Sequence, residues 1–146
     1  MSTDNATNLP VQDDTTGVKL FTIESANKAL VLVRRVIEDI VSNYRDLMEL
    51  RGQHEELQRE QGSPDEGEAL QQRIGQKVDH LNGLEAELRE IGCQLKDWSG
   101  GLVDFPAKLE GRLILLCWKL GEAEASHWHE WDSGFAGRRP VDERFQ

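Results

Sequence analysis

Residues 101–140 have the sequence GLVDFPAKLEGRLILLCWKLGEAEASHWHEWDSGFAGRRP, and this stretch decides the fold. It contains three of the four tryptophans, two of the four histidines and one of the two cysteines. Glu110 and Gly111 stand between two apolar runs, which predicts a tight β-hairpin turn. The second run, RLILLCWKL, is apolar on both faces, so we expect a central strand that helices cover on one side.

A two-residue turn also fixes which residues of the hairpin face each other. Counting back from the turn places Asp104 opposite Cys117 and Val103 opposite Trp118. Asp104 and Cys117 then share one face of the sheet. Pro106 has no N–H to donate, so it predicts an edge position or a bulge in its strand.

Two long helices are predicted upstream of the hairpin, over residues 22–60 and 63–91. Thr22 is a suitable N-cap for the first, and Ser63 followed by Pro64 is typical of the start of the second. Apolar residues of the first helix recur at alternating steps of four and three, in a heptad-like seam. The seam consists of Ala26, Leu30, Val33, Ile37, Ile40, Tyr44 and Leu47. The short connection between the helices predicts that they lie antiparallel.

These elements predict one α+β domain over residues 18–146. A long antiparallel helical hairpin, resembling a coiled coil, packs on a small antiparallel β-sheet, and residues 93–141 form the β-hairpin and a polar loop. The length of 146 residues suits one domain. Residues 1–17 are polar, with little apolar content, and predict a disordered tail.

The charge and hydropathy of the chain limit its partners. The net charge of −10 disfavours binding to nucleic acid or to an anionic membrane, since both select clustered positive charge. No apolar run approaches the roughly 20 residues that span a bilayer. Residues 1–14 do not resemble a secretory signal. We therefore expect a cytoplasmic protein with no nucleic-acid or membrane partner.

Polar residues in and near the hairpin and loop predict a site for a divalent metal or a small ligand. The candidate metal ligands are Asp104, Glu122, His129 and Asp132, with Asp97 as a further candidate. A mixed nitrogen and oxygen set suits zinc, manganese or iron. The spacing matches no established metal motif. The alternative for Asp104 is a structural carboxylate, satisfied by backbone N–H groups or by an arginine.

The helices favour a different hypothesis, a non-enzymatic scaffold or interaction protein. Their apolar seam is wider than one partner helix requires, which predicts that the sheet or a second copy of the chain covers the remainder. The second possibility makes the protein a homo-oligomer through its helices. Cys117, in an apolar strand, is interpreted as a packed small side chain. The sequence does not disclose a reaction.

Several segments resemble a known family. FTIESANKALVLVRRVIEDIV, IGCQLKDWSGGLVDFPAKLEGRLILLCWKLGE and HWHEWDSGFAGRRP are similar to the uncharacterised bacterial family called domain of unknown function 2203. The resemblance covers about residues 19–141 and concentrates on the hairpin and loop. It implies a bacterial protein, and it implies no activity, since the family has none established.

Overall fold

The computed structural model describes residues 18–145, which form two helices followed by a five-stranded sheet. The helices are α1 (Ile23–Arg59) and α2 (Pro64–Ile91). The strands are β1 (Gln94–Asp97), β2 (Leu102–Leu109), β3 (Arg112–Lys119), β4 (His127–Glu130) and β5 (Arg139–Pro140). This architecture confirms the predicted α+β class with a helical hairpin and an antiparallel sheet. The tail predicted over residues 1–17 lies outside the described residues.

The helix ends follow from their capping residues. The Thr22 hydroxyl accepts the N–H of Ser25 at 3.0 Å, and the Ser25 hydroxyl accepts the N–H of Thr22 at 2.9 Å. These two bonds satisfy donors that the first turn of a helix leaves free. Ser63 caps α2, and Pro64 is the first residue of that helix. Gly92 ends α2 in the left-handed conformation, with φ of 111°.

The apolar seam of α1 is buried inside the chain. The helices and one face of the sheet together form a continuous core. Buried seam residues of α1 are Ala26, Leu30, Val33, Ile37, Ile40 and Leu47. The sheet therefore accounts for the extra width of the seam. Val31 and Leu32 remain 67% and 52% exposed on α1, and self-association through the helices stays a prediction.

The strands are antiparallel and lie in the order β1-β2-β3-β4-β5, so β3 is central as predicted. The hairpin register is confirmed, with Asp104 opposite Cys117 and Val103 opposite Trp118. Glu110 and Gly111 have φ values of 52° and 85°. Two successive residues with positive φ are typical of the hairpin turn that matches the twist of the strands.

Pro106 lies in an internal strand, but at a point where that strand has no neighbour on one side. β1 pairs with β2 only as far as Asp104. Beyond it, the carbonyl of Pro106 accepts the N–H of Phe21 at 2.7 Å. The nitrogen and carbonyl of one strand residue point the same way, so the missing N–H faces away from β3 and costs no bond of the hairpin. Phe21 also forms a single parallel bridge with Ala107.

Two glycines with positive φ allow a test of how closely the sheet and α1 approach. Gly101 has φ of 74°, and a Cβ there would lie 2.8 Å from Cγ2 of Ile37 on α1. Gly111 has φ of 85° and open space around it. We expect Gly111→Ala to lower the unfolding free energy by about 1 kcal/mol through backbone strain alone. Gly101→Ala should cost roughly 1–3 kcal/mol more, because it also overpacks the core.

Urea unfolding of the two glycine variants, followed by circular dichroism, measures this difference. Gly111→Ala is the control, since it shares the backbone strain without the crowding. Equal losses in the two variants would contradict the close packing of Gly101 on α1.

Candidate metal centre

The alternation of side chains along the strands divides the sheet into two chemically different faces. Val103 and Phe105 point into the core shared with the helices, so Asp104 between them points to the opposite face. Cys117 lies on that same face because it pairs with Asp104. On β4, His129 pairs with Leu115, two residues before Cys117 on β3. The period of two therefore brings an acid, a thiol and an imidazole to one side of the sheet.

Asp104 and His129 are in direct contact at this face. Their side chains are 2% and 3% exposed, and His129 Nε2 lies 3.0 Å from Asp104 Oδ1. Burial raises the pKa of the Asp104 carboxyl above its ordinary value, while the neighbouring His129 acts in the opposite direction. A buried carboxylate is costly unless it is paired. His129 is that partner, whereas the sequence predicts backbone N–H groups or an arginine for this role.

A second hydrogen bond fixes the state of the imidazole. Nδ1 of His129 lies 2.8 Å from the backbone carbonyl of Glu130. A carbonyl only accepts, so Nδ1 carries a hydrogen and donates it. In the neutral ring Nε2 then has a lone pair directed at a carboxylate oxygen. Either one proton or one cation must therefore lie between Nε2 and Oδ1.

Cys117 completes the cluster. It is fully buried, and burial raises the pKa of its thiol to about 12, with the Asp104 charge acting in the same direction. Without a metal this thiol is protonated at neutral pH and is a poor nucleophile. The Arg138 charge lowers its pKa, but too weakly to offset burial.

Donor atoms of Asp104, Cys117 and His129 converge on one point. One oxygen, one sulfur and one nitrogen all lie within 4.8 Å of one another. Zinc bonds of about 2.0–2.3 Å place the ligands of a tetrahedral site roughly 3.3–3.8 Å apart. The widest separation in the cluster therefore exceeds that of a tetrahedral site by at most about 1–1.5 Å. The bond from His129 to the Glu130 carbonyl is of the kind that orients histidines in metal sites.

Glu122 lies close to this cluster but is engaged elsewhere. Its Oε2 accepts from Arg138 Nη2 at 2.6 Å, and its Oε1 accepts the N–H of Lys119 at 2.9 Å. The Arg138 side chain is 11% exposed and its guanidinium lies 4.7 Å from the centre of the Phe135 ring. These contacts hold the loop after β4 against the end of β3 near Cys117.

The structure does not bring Asp97 and Asp132 into the cluster. The Asp97 carboxylate accepts three hydrogen bonds from Ser99 and Gly100, of 2.9–3.1 Å, in the turn between β1 and β2. The Ser99 hydroxyl is the main cause of a pKa below the ordinary value for Asp97. Asp132 lies exposed in the turn that follows β4. Of the predicted ligands, Asp104 and His129 are therefore together, and Glu122 is near them.

Cys117 is the member of the cluster that the predicted ligand set omits. The hairpin register had already placed it beside Asp104. Its apolar neighbours favoured a packing role, and the signal that could have added it to the set is its register position opposite Asp104.

Comparison with known families agrees with the resemblance of the segments. Residues 19–141 match the family described as "Uncharacterized conserved protein (DUF2203)". The chain belongs to this family. The matched region includes both helices and all three residues of the cluster, so the cluster lies inside the DUF2203 domain. No curated protein and no solved structure matches the chain. Within residues 18–145, no helix of this DUF2203 protein has the length and apolar character that crossing a membrane requires.

Proposed function

We propose that this DUF2203 protein binds a divalent metal ion, with Asp104, Cys117 and His129 as ligands. The observation that carries the proposal is the convergence of three buried donor atoms within 4.8 Å. Buried polar side chains are usually satisfied by hydrogen bonds or by a metal, and carboxylate, thiolate and imidazole are the groups that bind zinc. A cation between Nε2 and Oδ1 also satisfies the lone pairs that face each other there.

Zinc is the metal that these donors favour. A thiolate selects softer ions, and imidazole and carboxylate are both compatible with zinc. Manganese prefers oxygen ligands, so a thiolate counts against it. The charges are also compatible, because a thiolate and a carboxylate together balance a divalent ion in a buried place.

Metal loading of the purified, untagged chain tests the proposal. The protein is stripped with a chelator and titrated with zinc, and bound metal is measured by elemental analysis. We expect stoichiometric zinc and a stabilisation of about 2.7 kcal/mol at free zinc of about 100 times Kd. With cobalt(II) we expect a thiolate-to-metal charge-transfer band in the near ultraviolet, which reports sulfur ligation.

Cys117→Ser and Asp104→Asn should lose most of the metal affinity, and Cys117→Ser should lose the charge-transfer band. Cys93→Ser is the matched control. Cys93 is equally buried, but its thiol donates to the Leu88 carbonyl at the end of α2. This variant should bind zinc and cobalt as the unmodified chain does. A stripped chain that takes up no metal and shows no shift in its melting temperature would refute metal binding.

A further inference from the structure

The strand β4 contains a second histidine, and its position bears on what the metal does. β4 is extended, so His127 and His129 point to the same face of the sheet. His127 is the direct cross-strand partner of Cys117. Cβ atoms of such partners lie about 4.5–5.5 Å apart. An imidazole at position 127 therefore has the reach to approach a metal bound by the Cys117 sulfur.

His127 lies outside the group of mutually close donor atoms, and its ring bonds instead to Ser126. The residue is half-buried, and its Nδ1 lies 3.3 Å from the hydroxyl of Ser126, an exposed residue. A long hydrogen bond at the surface contributes little to stability, because water replaces it. Giving up this bond for a position nearer Cys117 therefore costs little.

When the thiol is ionised, the cluster supplies two negative charges, which neutralise a divalent ion. It supplies only three donor atoms, so a tetrahedral ion needs one further ligand. A neutral imidazole adds the fourth donor without adding charge to a buried site. Zinc sites with four protein ligands are structural, whereas catalytic sites keep one position for water. The identity of the fourth ligand thus decides between the two roles.

We infer that His127 is the fourth ligand, and that the metal is a closed structural centre joining β2, β3 and β4. This inference rests on the proposed metal binding. The four ligands come from three adjacent strands, with Asp104 on β2, Cys117 on β3, and His127 and His129 on β4. The ion fastens the short strand β4 to the central hairpin on the face opposite the helices. It activates no water, so the centre stabilises the fold and performs no hydrolysis.

The inference is tested by measuring how cobalt(II) and zinc bind to the variant His127→Gln. The variant His80→Gln is the control. His80 is an exposed histidine on α2. His127→Gln should keep the thiolate charge-transfer band, because Cys117 still binds, and its visible cobalt spectrum should become sensitive to azide, because exchangeable water then takes the fourth position. Its zinc affinity should fall by more than the roughly 10–100-fold that loss of an outer-shell contact costs. His80→Gln should match the unmodified chain.

X-ray absorption of the zinc-loaded, unmodified chain gives a second reading that needs no variant. We expect two imidazoles, one sulfur and one oxygen around zinc. In the cobalt-loaded chain, we expect that addition of azide does not change the visible spectrum. A single imidazole with azide binding would overturn the closed site and leave metal binding intact. Unchanged affinity and spectrum in His127→Gln would do the same. No metal in the unmodified chain would refute both the inference and the metal binding on which it rests.

Discussion

His129→Ala is expected to lower the unfolding free energy of the metal-free protein by about 3–5 kcal/mol. The substitution removes the partner of a carboxylate whose side chain is 2% exposed, and Asp104 has no other charged group within hydrogen-bond distance among the bonds of the described residues. Removal of one member of a buried pair is costly because the other keeps its desolvation penalty. The truncation also leaves a cavity in a face where His129 was almost fully buried.

Urea unfolding with chelator present measures this loss without any contribution from metal. His80→Ala is the matched control, since the same truncation on the exposed surface of α2 should change the free energy by less than about 0.5 kcal/mol. The double variant Asp104→Ala, His129→Ala should cost clearly less than the sum of the single variants, because neither side chain is then left unpaired. A loss below about 1 kcal/mol for His129→Ala, or simple additivity, would show that the pair is not buried as described.

The hairpin of this protein was predictable because one local feature fixes its register. With Glu110 and Gly111 as a two-residue turn, counting alone places Asp104 beside Cys117. The helix ends were predictable for a similar reason, because capping by Thr22 and Ser63 involves only residues of the next turn. The hairpin register and the helix caps depend only on how far apart residues lie along the chain, and this spacing can be read from the sequence.

The site was less predictable because its members approach across elements that no short turn connects. Residues 120–126 separate β3 from β4, and a connection of that length does not determine which residue of β4 faces Leu115. The contact of His129 with Asp104 crosses β3 and depends on that register. Glu122 has the chemistry of a ligand, but its pairing with Arg138 is set by the path of the loop after β4. The composition of residues 101–140 indicated where a site would lie, but the register of β4 determines which residues come together there.

Zinc affinity is expected to rise steeply with pH, because binding must displace protons from the site. Burial raises the pKa of the Cys117 thiol to about 12, so this group holds its proton throughout the neutral range. A second proton lies between His129 Nε2 and Asp104 Oδ1 in the metal-free protein, because Nδ1 donates to the Glu130 carbonyl and leaves the Nε2 lone pair facing a carboxylate oxygen. Each proton released makes the affinity rise about tenfold per pH unit.

These two protons determine the direction and the steepness of the change in zinc affinity with pH. Binding releases protons, so raising the pH favours the metal complex. The thiol alone gives a slope of about tenfold per pH unit throughout the neutral range. Displacement of the proton between His129 Nε2 and Asp104 Oδ1 as well makes the slope about hundredfold per pH unit. Calorimetric titration in buffers of different ionisation enthalpy counts the released protons directly.

Two cysteine variants identify the source of the released protons. Cys117→Ser should bind zinc far more weakly and release one proton fewer. Cys93 provides the control, because burial raises its thiol pKa to about 12 as well, although it lies outside the cluster. Cys93→Ser should therefore leave both the slope and the proton count unchanged. An affinity for zinc that does not change with pH would mean that the thiolate is not a ligand, since a buried thiol cannot bind zinc and keep its proton.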